Sequence, residues 1–167
     1  MDTASLSRRF SVRPLQESDI EAIFHLCEKN TLYYQYCPPY VSRDTIRRDM
    51  QALPPGKEMR DKHYLGFFSG SRLTAVLDLI DGYPDPETAF FGFFMVDVSF
   101  QHQGIGSAVI TELCESLKEQ GFREIRLCRA KGNPQPEAFW RKNGFRETGV
   151  LYDTGTCTVI VLQKRLI

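Results

Sequence analysis

Phe94-Met95-Val96-Asp97-Val98-Ser99-Phe100-Gln101-His102-Gln103-Gly104-Ile105-Gly106-Ser107 carries an apolar run into two closely spaced glycines and then into a helical pattern. The stretch reads as a buried strand that enters a glycine loop and opens a helix. Gly104 and Gly106 lack a Cβ, so the backbone can turn tightly and bring its N–H groups close to an anion, to which the helix N-terminus adds partial positive charge. The helix has independent support. Gly106, Ile110, Leu113 and Leu117 form one stripe flanked by Ile105 and Val109, while Glu112, Glu115, Lys118 and Glu119 fall opposite, which is helical periodicity. Gly121 ends the helix. A diphosphate site and a plain strand-to-helix turn are the two readings of the glycines at this point.

Working outward, 89–96 is almost wholly apolar, as expected of a central strand covered on both faces. Upstream, 63–68 and 73–80 flank Ser69-Gly70-Ser71 and read as a hairpin, and 81–86 is a longer turn. Earlier still, 10–15 alternates as a first strand, and Ser18 with Glu21 makes a capping box for a helix through Ile20, Ile23, Phe24 and Cys27. Residues 30–40 break the pattern. Ser42 then caps a helix carrying Ile46, Met50 and Leu53, which Pro54-Pro55-Gly56 stops. Downstream, 124–129 is a strand, Pro136 starts a helix that Gly144 ends, and 145–153 with 156–164 closes the chain as two strands. Strand, helix, strand, helix, strand over 89–153 implies a parallel pair joined by a right-handed crossover. The fold class is therefore α/β in the α+β sense, a mixed sheet with helices on both faces.

The 167 residues fit one domain, 1–167, with no linker or repeat. Lys plus Arg and Asp plus Glu are equal at 21 each, so no global basic field gathers nucleic acid. No apolar run is long enough to span a membrane, and Met1 to Arg9 lacks the apolar core of a signal peptide, so a cytoplasmic location is expected. The five cysteines, Cys27, Cys37, Cys114, Cys128 and Cys157, are scattered with no Cys-x-x-Cys pair. They read mostly as small buried apolar residues in a reducing compartment, and no metal is expected.

Two nucleotide motifs fail at the glycine loop. A P-loop needs Gly-Lys-Ser/Thr where Gly106 is followed by Ser107 and Ala108, and a dinucleotide fingerprint needs a third small residue where Val109 stands. Gln101-His102-Gln103-Gly104-Ile105-Gly106 instead resembles, at every defined position, the Gln/Arg-x-x-Gly-x-Gly/Ala element of the GNAT superfamily of N-acetyltransferases. Val96-Asp97 upstream, and Asn133 and Ala138-Phe139-Trp140-Arg141-Lys142-Asn143-Gly144-Phe145 downstream, resemble the same family in order and spacing.

The resemblance implies that strands 89–96 and 124–129 splay apart at one end and admit the pantetheine arm of acetyl-CoA. Phe94 N–H would then face the thioester carbonyl, with Met95 beside it, and Val96 would pair with the pantetheine. Gln101, His102, Gln103, Gly104, Ile105, Gly106 and Ser107 would form the diphosphate loop, and Asn133 and Trp140 would touch the cosubstrate from the other side. For Phe94 and Val96 core packing is compatible with that role, and His102 reads equally as a solvated loop histidine. The implied reaction is direct acetyl transfer to a primary amine, with a non-catalytic acyl-CoA-binding module as the alternative. Relatives with a dedicated base often carry a carboxylate on the strand that here reads Phe90, Phe91, Phe93 and Phe94. Asp78, Asp81 and Tyr152 are the remaining candidates, each also readable as a strand-end or surface residue. Trp140 stands where many members have tyrosine, and an indole N–H is a far weaker acid than a phenol; it reads as an apolar wall of the site or as plain core. Tyr33, Tyr34, Tyr36, Tyr40, Tyr83 and Tyr152 are candidates for the acceptor wall, for the surface of a homodimer, or for satellite core.

Overall fold

The computed structural model describes all 167 residues. Its strands are β1 (Ser11–Pro14), β2 (Lys62–Ser69), β3 (Arg72–Asp81), β4 (Thr88–Val96), β5 (Glu124–Ala130), β6 (Arg146–Asp153) and β7 (Thr158–Arg165). They form one sheet in the order β1-β2-β3-β4-β5-β7-β6. All neighbours run antiparallel except β4 and β5. The helices are α1 (Ile20–Cys27), α2 (Thr31–Tyr36), α3 (Arg43–Gln51), α4 (Ile105–Glu119) and α5 (Pro134–Lys142).

Each face of the sheet has its own core. Val109, Ile110, Leu113 and Leu117 of α4 and Trp140 of α5 pack with Leu77, Phe91, Ile125 and Leu127. On the opposite face Ile20, Ile23 and Leu26 of α1 and Ile46 of α3 pack with Tyr64, Val76 and Met95. Each such aliphatic side chain contributes about 1.5–3 kcal/mol on burial, so both helical layers are held by their apolar stripes.

The parallel ladder between β4 and β5 is short. It runs from Thr88 opposite Glu124 to Phe91 opposite Leu127 and goes no further. Beyond that point β4 pairs only with β3, and β5 only with β7. Gly92 sits at the turning point: Phe91 faces Leu79 and Phe93 faces Asp78, leaving Gly92 as the extra residue of a bulge. A bulge bends its strand. A Cβ there would lie 2.6 Å from Asp78 Oδ2, so a larger residue would have to push the buried Asp78 carboxylate aside.

Several local expectations are corrected. The first helix is not capped by Ser18; the turn begins earlier, with Gln16 and Asp19 in the reciprocal arrangement and Asp19 accepting from Gln16 N at 2.8 Å. Glu21, the expected partner of Ser18, is instead 2.6 Å from Arg43 Nε on α3. Within 30–40, where no element is expected, Thr31–Tyr36 forms the short helix α2. The last helix starts at Pro134 rather than Pro136, with Asn133 as N-cap accepting from Gln135 N at 3.2 Å. Neither proline loses an intrahelical hydrogen bond, because the first-turn N–H groups have no partner, so the Asn133 cap sets the start. Ser42 caps α3 as read, accepting from Thr45 N at 3.1 Å.

Candidate functional site

The separation of β4 from β5 opens a cavity of about 590 Å³. Phe94, Met95 and Val96 of β4 form one wall, and Asn133, Gln135, Pro136, Ala138, Phe139, Trp140 and Lys142 of the α5 segment form another. Gln101, His102, Gly104, Gly106 and Ser107 lie at the start of α4, and Asn30 and Tyr33 close the remaining side. Ten of the twelve residues expected to touch a cosubstrate therefore line one space. Gln103 and Ile105 do not: Gln103 turns away and donates from Nε2 to Ser99 O at 2.8 Å.

The polarity of the β4 backbone follows from its pairing. Asp97 N–H donates to Thr74 O of β3 at 2.8 Å. Alternate residues point their backbone groups oppositely in a strand, so Val96 and Phe94 turn theirs away from β3 and toward the gap. The Val96 carbonyl accepts from Gln101 Nε2 at 2.8 Å and from Asn30 Nδ2 at 3.4 Å. Gln101 Nε2 also donates to Asn30 Oδ1 at 2.7 Å, and its Oε1 accepts from Gln135 Nε2 at 3.3 Å. One glutamine side chain thus ties together the end of β4, the residue before α2 and the first turn of α5.

Two backbone conformations shape the loop. Gly104 is the N-cap of α4 at φ +78°, and His102 adopts φ +59°. Positive φ is uncommon for a residue with a Cβ, so the turn confines His102 to the left-handed region. No side chain caps α4, and its first internal bond is Ala108 N to Gly104 O at 3.0 Å. The N–H groups of the first turn face the mouth of the cavity with the positive end of the helix dipole. Gly106 lines the cavity and also serves packing. A Cβ there would meet the Phe139 ring at 3.1 Å and Val96 Cγ2 at 3.5 Å, so its absence lets α4 approach α5 and β4.

The inner end is aromatic. Trp140 is buried, with Phe139 and Phe145 edge-on to it, each with ring centroids at 4.9 Å, and Phe94 tilted against it at 5.9 Å. Asp97, just past β4, accepts from Ser99 N and Oγ at 2.8 and 2.7 Å. Burial pushes its carboxyl up, but these donors and Arg72 outweigh that and hold it below the usual carboxylate range.

A model of the acetyltransferase (GNAT) family matches residues 23–145. The chain belongs to that family. The fold agrees with solved GNAT structures. An acetyltransferase from Salmonella typhimurium that modifies the N-terminal serine of ribosomal protein L7/L12 is 21% identical, with a TM-score of 0.75 over 97% of this chain and 98% of its own. An acetyltransferase from Thermus thermophilus is 19% identical, with a TM-score of 0.74 over 93% and 96%. Spermidine N-acetyltransferase from Vibrio cholerae, in complex with CoA and spermine, is 18% identical, with a TM-score of 0.68 over 96% and 97%. No curated protein sequence matches.

The base candidates of this GNAT chain are dispersed. None of Asp78, Asp81 and Tyr152 lines the cavity. Asp78 is buried on the α1/α3 face with both oxygens 2.7 Å from Lys62 Nζ, itself fully enclosed. Burial pushes the Asp78 carboxyl up, against the opposing pull of Lys62. Tyr152 is 59% exposed on edge strand β6. Of the tyrosines, Tyr33 lines the cavity and stands edge-on to Phe93 at 5.7 Å. Tyr83, in the β3–β4 turn, packs on Phe90 of β4, at the end of the sheet where β4 and β5 are still paired. Asn30, Gln135, Pro136, Ala138, Phe139 and Lys142 line the cavity without being expected there from sequence, and Asn30 and Gln135 are the two of these that bond to Gln101. Neither belongs to a periodic or glycine pattern, and only the closed fold brings them to Gln101.

Proposed function

We propose that this GNAT chain moves the acetyl group of acetyl-CoA to a primary amine by direct attack in a ternary complex. The observation that carries the reading is the cavity at the β4–β5 separation, with an uncapped α4 N-terminus at its mouth and the Phe94 and Val96 backbone along its wall. Residues 101–107 would hold the diphosphate through their N–H groups, and the strand-like amides of a pantetheine arm suit the edge of β4 that β5 has left. Phe94 N–H would stabilise the carbonyl oxygen as it gains charge. Trp140, with apolar rings on three sides, would serve as wall. A thiolate with a pKa near roughly 8.5 is a tolerable leaving group, so a dedicated acid is dispensable.

The acceptor is a small-molecule amine or an amine of a peptide or protein. Similar structures include enzymes acting on an N-terminal serine and on spermidine, both amine acceptors. One observation favours a second reading, a non-catalytic acyl-CoA-binding module: no carboxylate lines the cavity. Thermal shift and rate measurements separate the two. Acetyl-CoA at about 100 times its dissociation constant should add roughly 2.7 kcal/mol of stability. A panel of amines monitored by thiol release should then give intersecting initial-rate lines and no acetylated protein. Binding without thiol release on any amine would favour the module, and no stabilisation at all would refute the site.

A further inference from the structure

Cys37 and Cys157 are 120 residues apart in sequence, yet their sulfurs lie 3.6 Å from each other. Both positions are fixed by backbone. Cys37 ends α2, its N–H donating to Tyr33 O at 3.0 Å. Cys157 sits in the β6–β7 turn, where Gly155 N donates to Asp153 Oδ1 at 2.8 Å and Thr154 N donates to Cys157 O at 3.0 Å. Both thiols are free and half-buried. No other hydrogen bond joins these two segments, and α2 carries Tyr33, which lines the cavity.

We propose that Cys37 and Cys157 form a redox-modification site, at which a hydroperoxide closes a reversible disulfide that pins α2 to the β6–β7 turn. The thiolate of Cys157 attacks one peroxide oxygen, the O–O bond breaks, and the departing hydroxide takes up the proton that Cys157 released on ionising, so that a sulfenic acid and water result. The sulfur of Cys37 then attacks the Cys157 sulfur and displaces hydroxide, which leaves as a second water with the Cys37 proton. Two thiols and one hydrogen peroxide become one disulfide and two waters. The order follows from position. Cys157 belongs to the exposed turn, whereas burial and the adjacent Cys157 thiol push the Cys37 thiol up to about 11, which suits it to resolve rather than to initiate. Closing from 3.6 Å to the roughly 2.05 Å of a disulfide is within reach of side-chain rotation. Through Tyr33 the cross-link would fix the acceptor side of the cavity, a consequence that rests on the acetyltransfer reading; the cross-link itself does not.

The test treats the full chain with hydrogen peroxide, quenches, unfolds it and alkylates the thiols. The reduced chain should label at all five cysteines, and the oxidised chain should label at two fewer, be lighter by two hydrogens and yield one peptide joining Cys37 to Cys157. Cys37→Ser and Cys157→Ser should each abolish that peptide. Amine turnover should fall roughly tenfold on oxidation, since displacement of a positioning group by about 1 Å can cost up to about 100-fold, and dithiothreitol should restore it. Acetyl-CoA stabilisation should persist. A chain that keeps all its thiols, or that pairs Cys128 or Cys114 instead, overturns the site. A linked chain with unchanged turnover overturns its control of the acceptor side. Failure of every amine to react refutes the acetyltransfer reading alone, because thiol count and peptide map still judge the cross-link.

Discussion

The two sides of the cavity are built on different principles. Along β4, the loop and α4, the groups that face the space are backbone: the strand edge past Phe91, the left-handed turn at His102 and Gly104, and the first turn of an uncapped helix. Across from them, α2 and the α5 segment contribute side chains from segments far apart in sequence, among them Asn30, Tyr33 and Gln135. A backbone site is insensitive to most substitutions and recognises groups common to many ligands. A side-chain site changes with each residue, and under the proposed acetyltransfer would be the side that selects an acceptor.

The contrast predicts two large effects of similar size but different readout. Trp140→Ala removes a buried ring from the cavity wall and should cost about 3–5 kcal/mol in stability, together with most of the stabilisation by acetyl-CoA. Trp140→Phe keeps a flat ring and should retain both, and most of the turnover. Lys62→Met leaves the Asp78 carboxylate buried without its cation, which should cost about 3–5 kcal/mol in urea unfolding. Acetyl-CoA stabilisation should survive it, because neither Lys62 nor Asp78 lines the cavity. Loss of turnover in Trp140→Phe at unchanged stability would make the indole N–H a catalytic donor. Loss of acetyl-CoA binding in folded Lys62→Met would show that this buried pair supports the cavity from outside its lining.

The same division explains what the sequence makes legible. The sheet, the crossover and the loop can be read because glycine spacing, apolar runs and the α4 stripe are local records of backbone geometry. Ten cavity residues follow from them and from the resemblance they carry. Gly92 is harder: it lies inside an apolar run, and its bulge is set by Asp78 on another strand. The pairing of Cys37 with Cys157, and the bridge from Gln101 to Asn30 and Gln135, have no local signature at all. Helix α2 is too short for periodicity to register. The proline choice at α5 could have been made from Asn133, whose side chain is an N-cap in place.

A middle-sized effect tests whether the glycines work as the backbone side requires. Gly106→Val would press on Phe139 and Val96, and should cost about 1–3 kcal/mol by overpacking while displacing the Phe139 ring into the cavity and weakening acetyl-CoA binding. Gly104→Ala meets no atom within 4 Å, so its effect should come only from the φ of the turn, about 1–2 kcal/mol. Gly106→Val/Phe139→Leu should recover stability if packing is the cause. Recovery of neither stability nor affinity would return Gly106 to a direct role at the anion.

The smallest effect concerns a side chain that anchors the backbone half alongside Gln101. Asp97 fixes the exit of β4 through Ser99 N and Oγ, so Asp97→Asn should lower stability at neutral pH by up to about 1 kcal/mol, within the range for a hydrogen bond. The sign of its pH dependence follows from the lowered carboxyl. The unfolded chain takes up the proton first, near about pH 3.9, so the stabilisation is complete above that value and is lost as pH falls through the lower folded value. Unfolding curves of the two chains should therefore stand apart at neutral pH and converge below about pH 4. If the gap persisted into acid, neutral hydrogen bonding would account for the whole effect, and the loop would owe its position to glycine geometry and Gln101 alone. If instead the gap were large and acetyl-CoA binding fell with it, the backbone half would depend on a side chain as strictly as the acceptor half does.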